Sequence, residues 1–565
     1  MKLKGSQIVI ETLIEQGVTD VFGYPGGQVL NIYDELYKAQ DRINHILTAH
    51  EQGASHAADG YARATGKVGV VIATSGPGAT NLVTGIATAM LDSVPMVAIT
   101  GNVPTTLIGK DSFQEIDITG VTLPITKHNY FVNDINDLAD TIREAFRIAK
   151  SGRPGPVLVD IPKDVQLAMA EYEKAEVVEV APDKIAKDKY IEKAVELIND
   201  SERPYIYIGG GVLGRDIADE VIAFAEKIGG YIGSTFMGLS AIPTEYERFL
   251  GMQGMHGHYA SSMANKEADL VIGIGVRFSD RATGNTAKYV KNTQFIQLDV
   301  DISELGKNIG IDVGVHGNIK DSLERICALV EKKDSPEWKE KVENLIAEEN
   351  AIAAMAERKA TASITPKQVM DIINEIKLDS TVVATDVGQH QMWAAQYLKF
   401  KNNRTFASSG GLGTMGYGMG AAIGAAFGSK ERTVLITGDG SFGMNLNELA
   451  TAVTYNVPLT IVLLNNGVLG MVRQWQTLFF GERYSNTVLG RKTDFSKLAD
   501  AFGAKSFAID NPESFRDAFK KASESDGPCL IEVLIDKDEF VLPMLPPGGS
   551  IEDIIVSIDK EGDNE

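Results

Sequence analysis

Short apolar runs rich in β-branched residues alternate with helix-length segments along most of the chain. Such runs are typical of parallel strands that helices cover on both faces, as in α/β proteins. Eight runs predict buried strands, at residues 68–73, 95–100, 157–161, 204–208, 270–274, 381–385, 433–437 and 458–464. The pattern therefore predicts an α/β fold built from doubly wound parallel sheets.

Two segments interrupt this alternation. Residues 166–190 are charged, and residues 331–365 are charged, helical in pattern and without a strand signal. Interpreted as linkers, they divide the 565 residues into three α/β domains, at about 1–180, 190–335 and 365–545. Residues 552–565 include six acidic residues and one lysine, which indicates a solvated acidic tail.

Composition narrows the class of protein. The formal net charge of −22 argues against a nucleic-acid or anionic-membrane binder, which would present a basic face. Two cysteines, Cys327 and Cys529, can form neither a disulfide framework nor a cysteine-based zinc site, so a cytoplasmic location is expected. No apolar stretch is long enough to span a membrane. Residues 1–17 predict an amphipathic helix and lack the features of a signal peptide.

Three strands run into glycine-rich turns that open helices, at residues 74–81, 209–214 and 438–443. The last two fit G-x-G-x-x-G, a pattern of dinucleotide sites, but glycine also suits any tight strand-to-helix turn. Neither turn is followed about 20 residues later by the acidic residue that would bind an adenosine ribose. Each pattern alone is therefore weak evidence of a dinucleotide site.

The turn after Gly438 carries a more specific signal. Asp439 ends one predicted strand, and Asn466 ends the next, with 24 residues between the GDG and NN motifs. Neighbouring parallel strands bring their carboxyl ends to one sheet edge. One carboxylate and one amide oxygen there suit Mg²⁺, which completes its octahedron with phosphate oxygens and water. The glycines let backbone approach a diphosphate, and the helix N-terminus supplies N–H donors. The pair predicts a magnesium–diphosphate site.

With this motif the sequence resembles the thiamine-diphosphate enzymes, and it looks most like the catalytic large subunits of acetolactate (acetohydroxyacid) synthase. The resemblance runs from residue 6 to residue 551, with long matching stretches at 22–27, 50–66, 73–85, 125–130, 467–476 and 546–549. It implies a pyrimidine-binding first domain, an FAD-binding middle domain and a third domain that binds the diphosphate and Mg²⁺. It also implies a homodimer or dimer of dimers, because the family's cofactor lies between two subunits, and a separate regulatory small subunit.

The resemblance assigns the thiamine-diphosphate site. Glu51 matches the glutamate that hydrogen-bonds the aminopyrimidine ring and stabilises its imino tautomer, although a lone glutamate there would more simply balance a helix dipole. Met415 matches the apolar support under the bend of the cofactor, and Gly413 lies beside it. The remaining implied contacts are Val387, Gly388, Gln389, His390, Gly438, Asp439, Gly440, Ser441, Asn466 and Val468, of which Asp439, Asn466 and the Val468 carbonyl would bind the metal.

The middle domain matches the FAD-binding domain of the family. The implied contacts are Arg153, Gly209, Gly210, Gly211, Thr235, Phe236, Met237, Met255, His256, Gly275, Val276, Arg277, Asp299, Val300 and Asn318. An arginine and successive strand ends suit an anionic dinucleotide. Ser279 and Asn318 stand where the family commonly has aspartate, so two carboxylates near the flavin are absent from the sequence. The family's flavin does no net redox chemistry, so FAD is expected to be structural.

Further matches concern the second substrate. Arg281 matches the guanidinium that orients the carboxylate of an acceptor 2-keto acid, and Trp475 the residue that favours an ethyl over a methyl side chain. Phe113, Gln114, Lys163 and Met471 match other residues of this substrate site.

The implied reaction decarboxylates pyruvate and transfers the two-carbon unit to pyruvate or 2-ketobutyrate, for valine, leucine and isoleucine biosynthesis. A pyruvate-oxidase-like oxidoreductase with the same cofactors is the alternative, and Arg281 with Trp475 argues against it. A non-catalytic scaffold would be expected to have lost Glu51 or the pair Asp439 and Asn466, all of which are present.

Overall fold

A computed structural model describes residues 1–177, 180–359 and 363–558. In these ranges no helix is both long and apolar enough to cross a membrane. Each of the eight predicted strands forms, with its ends displaced by at most two residues. Helices cover the sheets on both faces, and the predicted α/β class is confirmed.

The first part of the chain forms a six-stranded parallel sheet and a two-stranded antiparallel ribbon. Its elements are β1 (Lys2–Lys4), α1 (Gly5–Glu15), β2 (Asp20–Tyr24), α2 (Leu30–Lys38), β3 (Asn44–Leu47), α3 (Glu51–Thr65), β4 (Gly69–Ala73), α4 (Pro77–Asn81), α5 (Val83–Asp92), β5 (Met96–Asn102), α6 (Ile118–Thr122), β6 (His128–Phe131), α7 (Leu138–Lys150), β7 (Pro156–Pro162), α8 (Lys163–Leu167) and β8 (Met169–Glu171). The sheet order is β3-β2-β4-β5-β7-β6, and β1 pairs with β8. The expected N-terminal helix is therefore preceded by a short strand, because residues 2–4 find a pairing partner in 169–171.

Both faces of this sheet are buried. Along β4, Val70 and Ile72 join one hydrophobic cluster, and Val71 and Ala73 join the cluster on the opposite face. Successive side chains of a strand point to opposite faces, so burial on both sides requires a continuous apolar run. That requirement explains why the sequence pattern identified the central strands.

The middle part forms a second parallel sheet. Its elements are α9 (Asp188–Asp200), β9 (Pro204–Ile208), α10 (Gly210–Arg215), α11 (Ala218–Ile228), β10 (Tyr231–Ser234), β11 (Phe249–Met252), α12 (Tyr259–Glu267), β12 (Leu270–Ile274), α13 (Asp280–Thr283), α14 (Thr286–Tyr289), β13 (Gln294–Asp299), β14 (Val313–His316) and α15 (Ile319–Leu329). Its order, β11-β10-β9-β12-β13-β14, is that of doubly wound dinucleotide-binding folds. The helix α16 (Pro336–Lys359) follows, and the buried Trp338 anchors it by donating a hydrogen bond to the Pro204 carbonyl (3.2 Å).

The last part repeats the architecture of the first. Its elements are α17 (Pro366–Ile376), β15 (Val383–Thr385), α18 (Gln389–Tyr397), β16 (Phe406–Ala407), α19 (Tyr417–Ser429), β17 (Thr433–Gly438), α20 (Asp439–Asn445), α21 (Leu449–Thr454), β18 (Leu459–Asn465), α22 (Gly470–Phe479), α23 (Phe495–Phe502), β19 (Lys505–Ile509), α24 (Pro512–Ser523) and β20 (Cys529–Leu534). The sheet order β16-β15-β17-β18-β20-β19 reproduces the strand sequence of the first sheet. A 3₁₀ turn (Leu446–Glu448) separates α20 from α21.

The three sheets lie inside the three predicted domains, whose boundaries stay predictions. Within the predicted tail, Glu552 forms an ion pair with Lys266 (3.1 Å), and Ile555 exchanges two backbone hydrogen bonds with Met544. The start of that segment therefore contacts the body of the chain. Residues 559–565 of the tail lie outside the described residues.

Helices α3 and α19 join the first and third domains. A β-carbon added to Gly420 would lie 2.6 Å from the Gly53 carbonyl oxygen, so the two backbones are in direct contact. Asp59 lies on the same interface, where its carboxylate accepts hydrogen bonds from the Tyr417 hydroxyl (2.6 Å) and the Arg63 guanidinium (2.5 Å). The helix that begins with Glu51 is thereby fixed against the third domain.

Candidate active site

Two adjoining cavities lie at the carboxyl ends of the third-domain strands. The smaller is lined by residues predicted to hold the diphosphate: Val387, Gly388, Gln389, His390, Met415, Gly438, Asp439, Gly440, Ser441, Asn466 and Val468. The larger, of about 1310 Å³, extends to the middle domain. Val387, Gly388 and Met415 border both, so the two cavities form one continuous site.

Asp439 and Asn466 lie on adjacent strand ends, as the spacing predicted. Gly438 pairs with Leu464 in the parallel register of β17 and β18, which places the two polar residues at one edge. Asp439 is buried, and burial raises the pKa of its carboxyl group to about 6 against the opposing effect of nearby backbone N–H groups. The Asn466 side chain accepts from the Val468 N–H (3.2 Å) and donates to Gln389 (3.4 Å).

This edge fits a magnesium diphosphate. Among the described residues no group of three or more His, Cys, Asp or Glu could hold a metal, so a cation here would rely on one carboxylate with amide and carbonyl oxygens. Mg²⁺ accepts such a sparse set because it keeps water and phosphate ligands. A β-carbon on Gly438 would lie 2.9 Å from the His390 ring, and one on Gly440 2.8 Å from Leu469, so larger residues would fill the cradle.

The loop that carries Gly413 and Met415 is held by a buried carboxylate. Asp386, fully buried at the end of β15, accepts hydrogen bonds from the Gly416 N–H (2.8 Å) and the Val387 N–H (3.1 Å). Burial raises the pKa of Asp386. Asp386 thus fixes Met415, which reaches both cavities, relative to the diphosphate loop. No motif in the sequence marks Asp386, and its only signal is its place directly after a predicted strand.

The larger cavity is lined by most of the predicted flavin contacts: Gly209, Gly210, Thr235, Phe236, Met237, Met255, His256, Gly275, Val276 and Arg277. Two residues of this lining, Tyr207 and Gln253, carry a buried polar atom, the hydroxyl and the side-chain carbonyl oxygen, that has no hydrogen-bond partner among the described residues. A large apolar cavity with unpaired polar atoms suits a ligand such as a flavin dinucleotide.

Five predicted flavin residues lie outside the cavity lining: Arg153, Gly211, Asp299, Val300 and Asn318. Arg153 does not line the cavity itself, but it forms an ion pair with Glu304 (2.6 Å), which does. Asn318 caps α15 by accepting from the Asp321 N–H (3.0 Å). The lining residues Glu304, Lys307 and Asn308 were missed, since nothing local in the sequence marks them.

Arg281, Met471 and Trp475 all line the larger cavity. The Arg281 guanidinium lies 5.9 Å from the centre of the Trp475 ring, and its Nη1 is 3.6 Å from the sulfur of Met255. The carboxylate that pairs with it, Asp280, is 3.9 Å away and exposed. The guanidinium therefore remains accessible to an anionic ligand.

The first-domain residues form a separate group. Glu51, Gln114 and Lys163, all described, line neither cavity. The Glu51 carboxylate accepts a hydrogen bond from Asn81 (3.0 Å), and Lys163 donates to the Gly27 carbonyl (3.1 Å). These residues follow β3, β5 and β7, at the carboxyl edge of the first sheet.

The chain is similar to known proteins along most of its length. Family models for thiamine pyrophosphate (TPP) enzymes match residues 3–121 (N-terminal TPP binding domain), 191–326 (central domain) and 386–533 (C-terminal TPP binding domain). A probable acetolactate synthase large subunit of Methanocaldococcus jannaschii is 44% identical, over 99% of this chain and 96% of its own. The acetolactate synthase large subunits of Lactococcus lactis and Haemophilus influenzae are 43% and 41% identical, over 98% and 100% of this chain and 96% and 100% of their own. The chain belongs to the acetolactate synthase large-subunit family.

The family and its three-domain α/β fold, both predicted from the sequence, are confirmed. The chain carries both of the TPP-binding domains that characterise TPP enzymes. Glu51 lies in the N-terminal one, whereas Asp439 and Asn466 lie in the C-terminal one. The roles assigned to individual residues of this acetolactate synthase family member stay predictions.

Proposed function

We propose that the chain is the catalytic subunit of an acetolactate synthase. It would decarboxylate pyruvate and join the two-carbon unit to pyruvate, giving 2-acetolactate, or to 2-ketobutyrate, giving 2-aceto-2-hydroxybutyrate, in branched-chain amino acid biosynthesis. The observation that carries the proposal is the meeting of Arg281 and Trp475 at a cavity that adjoins the Asp439–Asn466 edge. The family membership supports it.

The proposed cofactors are thiamine diphosphate, Mg²⁺ and FAD. When bound, thiamine diphosphate supplies the nucleophilic carbon and the electron sink that decarboxylation of a 2-keto acid requires. Asp439, Asn466 and the Val468 carbonyl would hold the metal, and Met415 would support the bent cofactor. FAD would occupy the larger cavity beside Phe236 and Met237 as a structural group.

Different residues of the chain would contact the cofactor and the acceptor substrate. Glu51 would hydrogen-bond the aminopyrimidine and control its protonation. Arg281 would hold the acceptor's carboxylate in one orientation, because a guanidinium forms two parallel hydrogen bonds with a carboxylate. Trp475 would contact the acceptor's side chain and so favour ethyl over methyl. Gln114 and Lys163 would complete the substrate site.

We propose a homodimer as the smallest active unit. Glu51 lines neither of the two cavities at the third domain, so a complete site would combine the first domain of one subunit with the third domain of another. Large apolar side chains are exposed on the first domain, including Phe113 at 84% and Leu123 at 70%, as expected of a surface that a second chain covers. A regulatory small subunit and a cytoplasmic location, where Cys327 and Cys529 would remain free thiols, belong to the same proposal.

Product analysis tests the proposal. Purified protein with Mg²⁺, thiamine diphosphate and FAD should convert pyruvate to 2-acetolactate, and added 2-ketobutyrate should yield 2-aceto-2-hydroxybutyrate. Acetate or peroxide without 2-acetolactate would refute it in favour of the pyruvate-oxidase-like alternative, which the relatives do not favour. No turnover with correctly bound cofactors would refute both.

A further inference from the structure

A buried carboxylate of the third domain binds the backbone of the first domain just before Glu51. Glu448 ends the 3₁₀ turn between α20 and α21 and has no solvent exposure. Its two carboxylate oxygens accept hydrogen bonds from the N–H groups of Ala49 (3.1 Å) and His50 (2.9 Å). The hydroxyl of Thr451 donates a third bond (2.7 Å), which fixes the carboxylate in place.

The contact lies at the first turn of α3. His50 is the N-cap residue of that helix, and Glu51 is its first residue. A β-carbon on Gly53 would overlap the Glu448 carboxylate, so the turn rests directly on it. A negative charge at this end also complements the helix dipole. Glu448 is therefore in direct contact with the first turn of α3 and bonds to the backbone that leads into it.

The charge of Glu448 is balanced by hydrogen-bond donors. In the described part of the chain its partners are the Thr451 hydroxyl and the backbone N–H groups of Ala49 and His50, with no lysine or arginine among them, and burial raises its pKa. A neutral glutamine has one acceptor oxygen, whereas the two N–H groups each require one. Glutamine would therefore place an amide NH₂ group against a backbone N–H and leave one donor unsatisfied.

We propose that Glu448 is a positioning residue for the reaction, which orients Glu51 toward the aminopyrimidine ring of thiamine diphosphate. The inference rests on the proposed function, because it takes Glu51 as the group that contacts the cofactor. Residues 439–448 would then hold the metal at one end, through Asp439, and Glu51 at the other. Since Glu51 lines neither of the two cavities at the third domain, these two ends would serve different sites of the proposed dimer.

The test compares Glu448→Gln with Glu15→Gln. Glu15 is also a buried carboxylate that accepts a backbone N–H, from Ala175 (3.0 Å), but it lies at the end of α1 and pairs with Arg143. In the protein without cofactor, amide hydrogen exchange of the peptide that contains Ala49 and His50 should accelerate about tenfold or more in Glu448→Gln and remain unchanged in Glu15→Gln.

With thiamine diphosphate and Mg²⁺ bound, deuterium exchange at the cofactor's reactive ring carbon should slow about tenfold to one hundredfold in Glu448→Gln. Cofactor affinity, measured by quenching of tryptophan fluorescence, should change by less than about threefold, because the diphosphate contacts are intact. Thr451→Val, which removes the hydroxyl that fixes Glu448, should change both exchange rates in the same directions, and Thr451→Ser should restore them.

Three results would overturn the proposal. Parental ring-carbon exchange in Glu448→Gln, when Glu51→Gln slows it severely, would remove the positioning role and leave the proposed function intact. Equal slowing in Glu15→Gln would show general destabilisation instead. Unchanged exchange in Glu51→Gln itself would remove the premise, and with it the role assigned to Glu51 in the proposed function.

Discussion

Replacing Gly420 by alanine inserts a methyl group between the two helices that join the first and third domains. The new β-carbon would lie 2.6 Å from the Gly53 carbonyl oxygen and 2.7 Å from the β-carbon of His56. The nearest obstacle is backbone, so no side-chain rotation can relieve the overlap. Ordinary contact begins at 3.4 Å, so α3 and α19 must separate by roughly 0.8 Å.

The magnitude follows from two opposing effects. Overpacking a close-packed interface lowers the free energy of unfolding by about 1–3 kcal/mol. Alanine in place of glycine within a helix raises it by about 1 kcal/mol. We expect a net loss of about 1 kcal/mol in the free energy of unfolding. For a cooperatively unfolding unit of about 150–250 residues, the size of one predicted domain, this loss corresponds to a fall of about 2–4 °C in Tm. Gly53 is two residues from Glu51, and a displacement of about 1 Å can cost a hundredfold in rate. Activity should therefore fall about tenfold or more.

Thermal unfolding and acetolactate formation are measured on the same preparation. Gly214→Ala is the matched control, since that glycine is helical and exposed and its β-carbon would meet nothing within 4 Å. The control should keep parental activity and equal or higher stability. If Gly420→Ala has the parental Tm and the parental rate, the two helices are not in backbone contact and the reasoning fails.

Four further outcomes are expected. Glu51→Gln should slow activation of the cofactor severely while Mg²⁺-dependent cofactor binding survives, and near-parental turnover would contradict its role. Chelation of Mg²⁺, or Asp439→Asn, should abolish binding of thiamine diphosphate in a fluorescence titration; unchanged binding would remove the metal assignment. Trp475→Leu should lower the preference for 2-ketobutyrate over pyruvate in a competition assay about tenfold, and an unaltered product ratio would refute the contact. Burial raises the pKa of Asp160 from 3.8 to about 6, so the folded chain binds more protons than the unfolded chain between these values. The parent protein therefore gains unfolding free energy relative to Asp160→Asn as the pH falls from about 8 to about 5, which urea unfolding of both proteins measures. A difference between the two proteins that does not change with pH would contradict the shift.

Central strands could be predicted because they are buried on both faces. Short strands at or near sheet edges gave no comparable signal. His128–Phe131 (β6) contains no fully buried residue, and Phe406–Ala407 (β16) has only two residues. Such strands form because a neighbour offers its hydrogen-bonding groups, and a local pattern of apolar residues does not record that neighbour.

The candidate site also contains residues that the sequence could predict and residues that it could not. Asp439 and Asn466 could be placed together because each follows a strand and parallel strands end at one edge. Asp386, Glu448 and Glu304 could not, since each acts on backbone or side chains that only the tertiary structure brings near. The placement of Glu51 and Asp439 in different domains was implied only by the resemblance to a known family. No spacing of residues in the sequence predicts it.

These missed carboxylates explain how an acidic chain can build an anion site. The net charge of −22 is a property of the whole chain, whereas Asp386 and Glu448 accept N–H bonds in the interior and lie away from solvent. Each uses its charge to order a loop or helix end, and those ordered ends carry Met415 and Glu51. Positive charge at the larger cavity comes instead from lining residues such as Arg277, Arg281 and Lys307. The carboxylate nearest Arg281, that of Asp280, is exposed to solvent, which screens it. Recognition of an anion here therefore depends on local arrangement, and total charge is a poor guide to it.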